Sequence, residues 1–137
     1  MTTLTRTASG MMKTFGLMLF ISILGACATI EDLRPGTGSV ITIEGKTFNQ
    51  IWKAAVKATN KNLTIVYNNK DRGEIRAEAA AKIASWGEVV GVFISPTTPK
   101  ASKYTVEVVS QKRSKLQLTG QNWERSILAS IQVELDL

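Results

Sequence analysis

The feature that most constrains this chain is an apolar run that stops at its only cysteine. Residues 14–24 read TFGLMLFISIL and follow a short stretch carrying Arg6 and Lys13 and no acidic residue. The run is too short to cross a hydrocarbon core as a helix, which takes ~20 residues. It has the length and flanks of a secretory h-region, typically ~7–15 apolar residues after a positive start. Gly25 and Ala26 then place small residues directly before Cys27. The expectation is an export signal over residues 1–26, leaving residues 27–137 as the mature chain, with its folded domain over residues 39–137. A buried core helix is the alternative for such a run, and the small residues behind it argue against that.

The quartet Leu24-Gly25-Ala26-Cys27 resembles the lipobox of bacterial lipoproteins: an aliphatic residue, two small residues, then cysteine. The resemblance implies cleavage between Ala26 and Cys27, acylation of the Cys27 sulfur by diacylglycerol, and a membrane anchor. One acyl chain holds a protein only marginally, whereas two hold it stably; a diacylglyceryl cysteine brings both on one residue. Ala28, rather than aspartate, follows the cysteine, which in such lipoproteins implies the outer membrane with the domain facing the periplasm.

Residues 27–137 are enough for one domain with a modest core. A single cysteine forms no internal disulfide, so packing has to hold the fold. The chain is formally +6, and losing Arg6 and Lys13 with the signal leaves about +4. In an exported, tethered domain that balance fits attraction to anionic lipid or polysaccharide, or plain solubility, better than nucleic acid. There is no histidine, the commonest general base and metal ligand. A Gly-x-Ser-x-Gly elbow and metal-ligand spacings are missing as well. No enzymatic activity, cofactor or metal is expected.

Along the mature chain, residues 28–38 (ATIEDLRPGTG) are broken by Pro35, Gly36 and Gly38 and read as a flexible tether. At ~3.3 Å per residue it would hold the domain up to ~35 Å off a bilayer. SVITIE over residues 39–44 alternates as a strand, with Ile41 and Ile43 on one face. Thr47-x-x-Gln50 forms a capping box for a helix over residues 48–60. Its stripe is Phe48, Ile51, Trp52, Ala55 and Thr59. Lys46, Lys53, Lys57 and Lys61 project from the other side, either as a solvated face or as a contact for anionic headgroups.

Residues 63–67 (LTIVY) predict a strand with Leu63, Ile65 and Tyr67 on one face. A polar turn ending in Gly73 follows. In the next strand Ile75, Ala77 and Ala79 point inward, while Glu74, Arg76 and Glu78 face water. Residues 88–95 carry Val89 and Phe93 on one face and Val90, Val92 and Ile94 on the other. Such a strand is central, or has one face under a loop or partner. Residues 104–110 (YTVEVVS) return antiparallel with Tyr104, Val106 and Val108 inward. Leu116 and Leu118 predict a short edge strand guarded by the basic stretch 111–115. Asn122 caps a last helix with the stripe Trp123, Ile127, Leu128, Ile131 and Leu135.

The order strand, helix, antiparallel strands, helix predicts an α+β two-layer sandwich, its antiparallel sheet covered on one face by two helices. Three stretches, Phe48-x-x-Ile51-Trp52, Leu63-Thr64-Ile65 and Asp71-Arg72-Gly73-Glu74-Ile75, look like the opening of the helix-grip domains in the BamC outer-membrane lipoproteins. Residues 127–135 are similar to their last helix. The resemblance implies a helix-grip-like fold and an accessory role in an envelope complex. With one domain on a short tether, the chain is also similar to a small family of single-domain lipoproteins. The alternative function is a carrier or sensor, with Trp52, Phe93, Tyr104 and Trp123 lining an apolar cavity between helix and sheet. Trp86, beside Gly87, is a candidate interface aromatic. With Lys53, Lys57 and Lys61 it makes the candidate interaction surface for an envelope protein partner.

Overall fold

The computed structural model describes residues 27–81, 87–98, 102–117 and 119–137. Strand β1 (Ser39–Glu44) leads into helix α1 (Phe48–Asn60). Strands β2 (Thr64–Asn69), β3 (Glu74–Ala79), β4 (Glu88–Pro96) and β5 (Lys103–Lys112) follow, and helix α2 (Trp123–Glu134) comes last. The five strands form one antiparallel sheet in the order β1-β5-β4-β3-β2. β1 and β2 lie on opposite edges, so α1 crosses the whole sheet between them. The fold is an α+β sandwich.

Local chemistry places the helices as the spacing predicts. The Thr47 hydroxyl accepts from the Gln50 amide at 3.3 Å, and the Thr47 amide donates to Gln50 Oε1 at 2.8 Å. Two of the helix's unsatisfied donors are thereby covered. Asn122 Oδ1 accepts from the Arg125 amide at 3.1 Å and caps α2. Both helices turn their stripes onto the same sheet face. There Ile51, Ala55, Ile75, Ala77, Val90, Val92, Val106, Val108 and Ile131 are fully buried.

Two acidic residues lock α2 to the sheet. The Glu124 carboxylate accepts from the Ser39 amide and hydroxyl on β1 and from the Ser110 amide on β5. The Glu88 carboxylate, buried at the start of β4, accepts the indole N–H of Trp123 and the Gln121 amide.

The outer face of the sheet departs from expectation. It is covered, not wet, and what covers it is the stretch read as a tether. Residues 30–32 form a 3₁₀ turn, and Leu33, with none of its surface exposed, packs on Val89 and Val109 with Ile30, Ala28 and Phe93 around it. Gly91 gives this layer its room: a Cβ there would fall 2.8 Å from the Phe93 ring and 3.5 Å from the Leu33 Cβ. The amides of Gly36 and Gly38 donate to Glu107 Oε1 at 2.7 and 2.8 Å. Residues 28–38 are therefore corrected from tether to a packed strap, because β4 has apolar residues on both faces and something has to cover the second.

Three strand assignments change for the same reason or a local one. Glu74 and Arg76 do not face water: Glu74 is buried, Arg76 pairs with it, and Arg76 Nη1 donates to the Ile30 carbonyl at 2.7 Å. Tyr67 leaves the face it was assigned. A bulge between Ile65 and Tyr67 shifts the register, so that Tyr67 stands opposite Arg76 with the guanidinium 5.6 Å from its ring centroid. Leu116 and Gln117 are not in the expected edge strand. Residues 115–116 are a turn, Leu116 is exposed, and Leu118 lies outside the described residues.

Candidate functional sites

Two surfaces gather the candidate residues, and they lie on opposite layers of the sandwich. The first surrounds Cys27, whose thiol is exposed. Cys27 is tied to the sheet. It forms an antiparallel bridge with Ser114, just beyond β5, and the Ala28 amide donates to the Arg113 carbonyl at 3.1 Å. A groove of about 480 Å³ opens beside it, lined by Cys27, Ala28, Thr29 and Ile30 on one wall and Arg113 and Ser114 on the other. Arg113 pairs with Glu78 at 2.5 Å across that opening. Below it the 3₁₀ turn is closed by Asp32, whose carboxylate accepts from the Thr29 amide at 2.8 Å and the Thr29 hydroxyl at 2.9 Å. Those bonds from the Thr29 backbone and side chain hold the Asp32 carboxyl below its ordinary value of 3.8. Ala26, the residue on the far side of the expected cleavage, lies outside the described residues.

The second surface is the outward side of α1. Lys53, Lys57 and Lys61 recur every four residues and so share a face. With Val56 and the edge of Trp52 they line an open groove of about 640 Å³ that Glu134 of α2 closes at one side. Lys57 pairs with Glu134 at 2.5 Å, and among the described residues Lys53 and Lys61 make no ion pair. Lys46 lines a neighbouring recess that shares Lys53, Lys57 and Glu134. The three predicted lysines are thus brought together on an apolar floor. Trp86, the aromatic grouped with them, lies outside the described residues.

The cavity walls proposed for an apolar ligand do not converge. Trp52 and Trp123 belong to the core under the helices, and Tyr104 packs at its margin against Phe48 with ring centroids 6.0 Å apart. Phe93 belongs to the outer cluster with Leu33, across the sheet. The pleat requires this, since Phe93 is one residue out of phase with Val92 and Ile94.

Among the described residues there is no group of three or more His, Cys, Asp or Glu side chains able to hold a metal ion. No helix among them is long and apolar enough to cross a membrane. No protein-family model matches the chain, and no curated protein matches it.

The strap around Cys27 is what sequence reasoning missed. A signal for it was present: two apolar residues, Ile30 and Leu33, stand in a stretch otherwise rich in breakers, and residues 89 and 93 of β4 had no partner.

Proposed function

We propose that this chain is a lipoprotein held by its acylated Cys27 at the periplasmic side of the outer membrane, where its domain serves as a non-enzymatic binding or accessory module of an envelope complex. The observation that carries the reading is the sequence quartet Leu24-Gly25-Ala26-Cys27 directly behind an h-region-length apolar run. The exposure of the Cys27 thiol at the margin of the domain is compatible with a modifying enzyme reaching it. Acyl chains contribute about 0.8 kcal/mol per buried methylene, so two chains on one residue suffice as an anchor without any membrane-spanning helix. The resemblance to BamC helix-grip domains supports the accessory role, and the α1 groove with Lys53, Lys57 and Lys61 is the surface offered to a protein partner.

The test is metabolic labelling of the full-length chain with a radioactive fatty acid, followed by membrane fractionation. The unaltered chain is expected to incorporate label, lose residues 1–26 and sediment with membranes. The Cys27→Ser chain is expected to stay unlabelled and uncleaved. Normal processing of the Cys27→Ser chain, or no fatty acid on the unaltered one, overturns the proposal.

A further inference from the structure

Granted the lipid on Cys27, its mounting decides how the domain sits on the bilayer. The chain immediately after a lipidated cysteine normally sets the standoff, and residues 28–38 in extended form would give up to ~35 Å. Here that slack is absent, because the Cys27–Ser114 bridge and the Ala28–Arg113 hydrogen bond attach the cysteine's own backbone to the end of β5. Leu33 and the Glu107 bonds to Gly36 and Gly38 fix the rest of the strap to the sheet.

The anchor point has one neighbour that stands out. Leu116, at the tip of the turn after Ser114, is 84% exposed, the highest value for a large hydrophobic among the described residues. An exposed leucine by itself means little; its position gives it meaning. Paired antiparallel residues sit ~5 Å apart, and two further residues span at most ~7 Å, so Leu116 lies within about 12 Å of the lipidated residue. That is comparable to the ~5–10 Å to which apolar faces sink at a membrane interface. Lys115 beside it is exposed, as is Lys112. Lys112 Nζ is turned to the Gln117 carbonyl at 3.4 Å; of the acidic groups facing the groove, Glu78 is paired with Arg113, leaving Glu31 against Lys115. The surface is apolar first and close to neutral in charge, which suits a phospholipid leaflet.

We propose that the domain rests directly on the bilayer, with residues 27–30 and the turn 114–117 as its membrane-facing surface and Leu116 as the side chain that enters the interface. The lysine groove of α1 then points away from that membrane. The full thickness of the sheet and a helix of ~10 Å diameter lies between them, and Lys53, Lys57 and Lys61 do not serve as contacts to the anchoring leaflet.

The experiment uses the full-length chain, expressed, purified from the membrane and reconstituted in vesicles of phosphatidylethanolamine and phosphatidylglycerol carrying a photoreactive phospholipid. Adduct positions are mapped by mass spectrometry. Adducts are expected on residues 27–31 and 112–117 and to be several-fold rarer on α1. Leu116→Glu is expected to lower the adducts on 112–117 several-fold while circular dichroism and the mass of the Cys27 peptide are unchanged. Equal or heavier labelling of α1, or no effect of Leu116→Glu, overturns the pose. If the Cys27 peptide carries no lipid, the proposed function fails, and the pose is decided by the same mapping after coupling a maleimide phospholipid to Cys27, the only thiol.

Discussion

Leu33 has none of its surface exposed and sits over Val89 and Val109, and on that side of the sheet it is the side chain that excludes water. Truncating a buried leucine removes its transfer free energy and leaves a cavity. Leu33→Ala is therefore expected to lower unfolding stability by about 2–3 kcal/mol, read as a lower urea midpoint at unchanged slope. A free tether would show no change. Gly73 illustrates the opposite case, a residue whose role was legible in the chain. Its φ of +64° suits the turn before β3, and a Cβ there would fall 2.2 Å from the Ile94 carbonyl oxygen. The turn-former cluster announced the positive φ; only the neighbouring strand explains why no side chain fits.

Among the elements, the 3₁₀ turn Ile30–Asp32 is the smallest, and its hydrogen bonds to Asp32 make it pH-dependent. The Asp32 carboxyl is held below 3.8 by the Thr29 amide and hydroxyl, so its folded value lies under its unfolded one. Such a group contributes stability above the unfolded value and loses it as pH falls through the folded value. An NMR titration is expected to show the Thr29 amide resonance moving with a midpoint below 3.8, with the movement abolished in Asp32→Asn. Asp32 is fully solvated, so the effect is confined to the strap.

Helices α1 and α2 were readable because their caps and stripes are local: Thr47, Gln50 and Asn122 bond within one turn. β2 was readable only in part. Its alternation says that Leu63, Ile65 and Tyr67 share a face, but one extra residue in the bulge turns Tyr67 to Arg76 instead. Nothing in LTIVY marks that residue, because a bulge is a relation between two strands.

For the whole molecule, the order β1-β5-β4-β3-β2 puts β4 in the middle, with helices on one side and the strap on the other. Amide exchange should follow that arrangement, since opening free energy rises with burial and paired neighbours. The slowest amides are expected in β4 and the adjoining part of β5. β2, an edge strand with a bulge and mostly exposed side chains, is expected to exchange much faster. Equal protection in β2 and β4 would contradict the two-sided cover.

Local pattern in the chain marked β1 to β5 and both helices, placed the helices together on one face of an antiparallel sheet, and put Lys53, Lys57 and Lys61 on a shared surface, though it also marked a strand at Leu116 where the chain turns. These follow from period 2, period 3.6 and caps, all encoded within a few residues. The two apolar faces of residues 88–95 left two readings open, a central strand or one with a face under a loop or partner. It is the packing of the folded chain that brings residues 28–38 over the second face. Residues 28–38 carry no apolar period, and beyond the local Thr29–Asp32 bonds they are ordered by Val89, Val109, Arg76 and Glu107, which lie far along the chain and come together only once the sheet has formed.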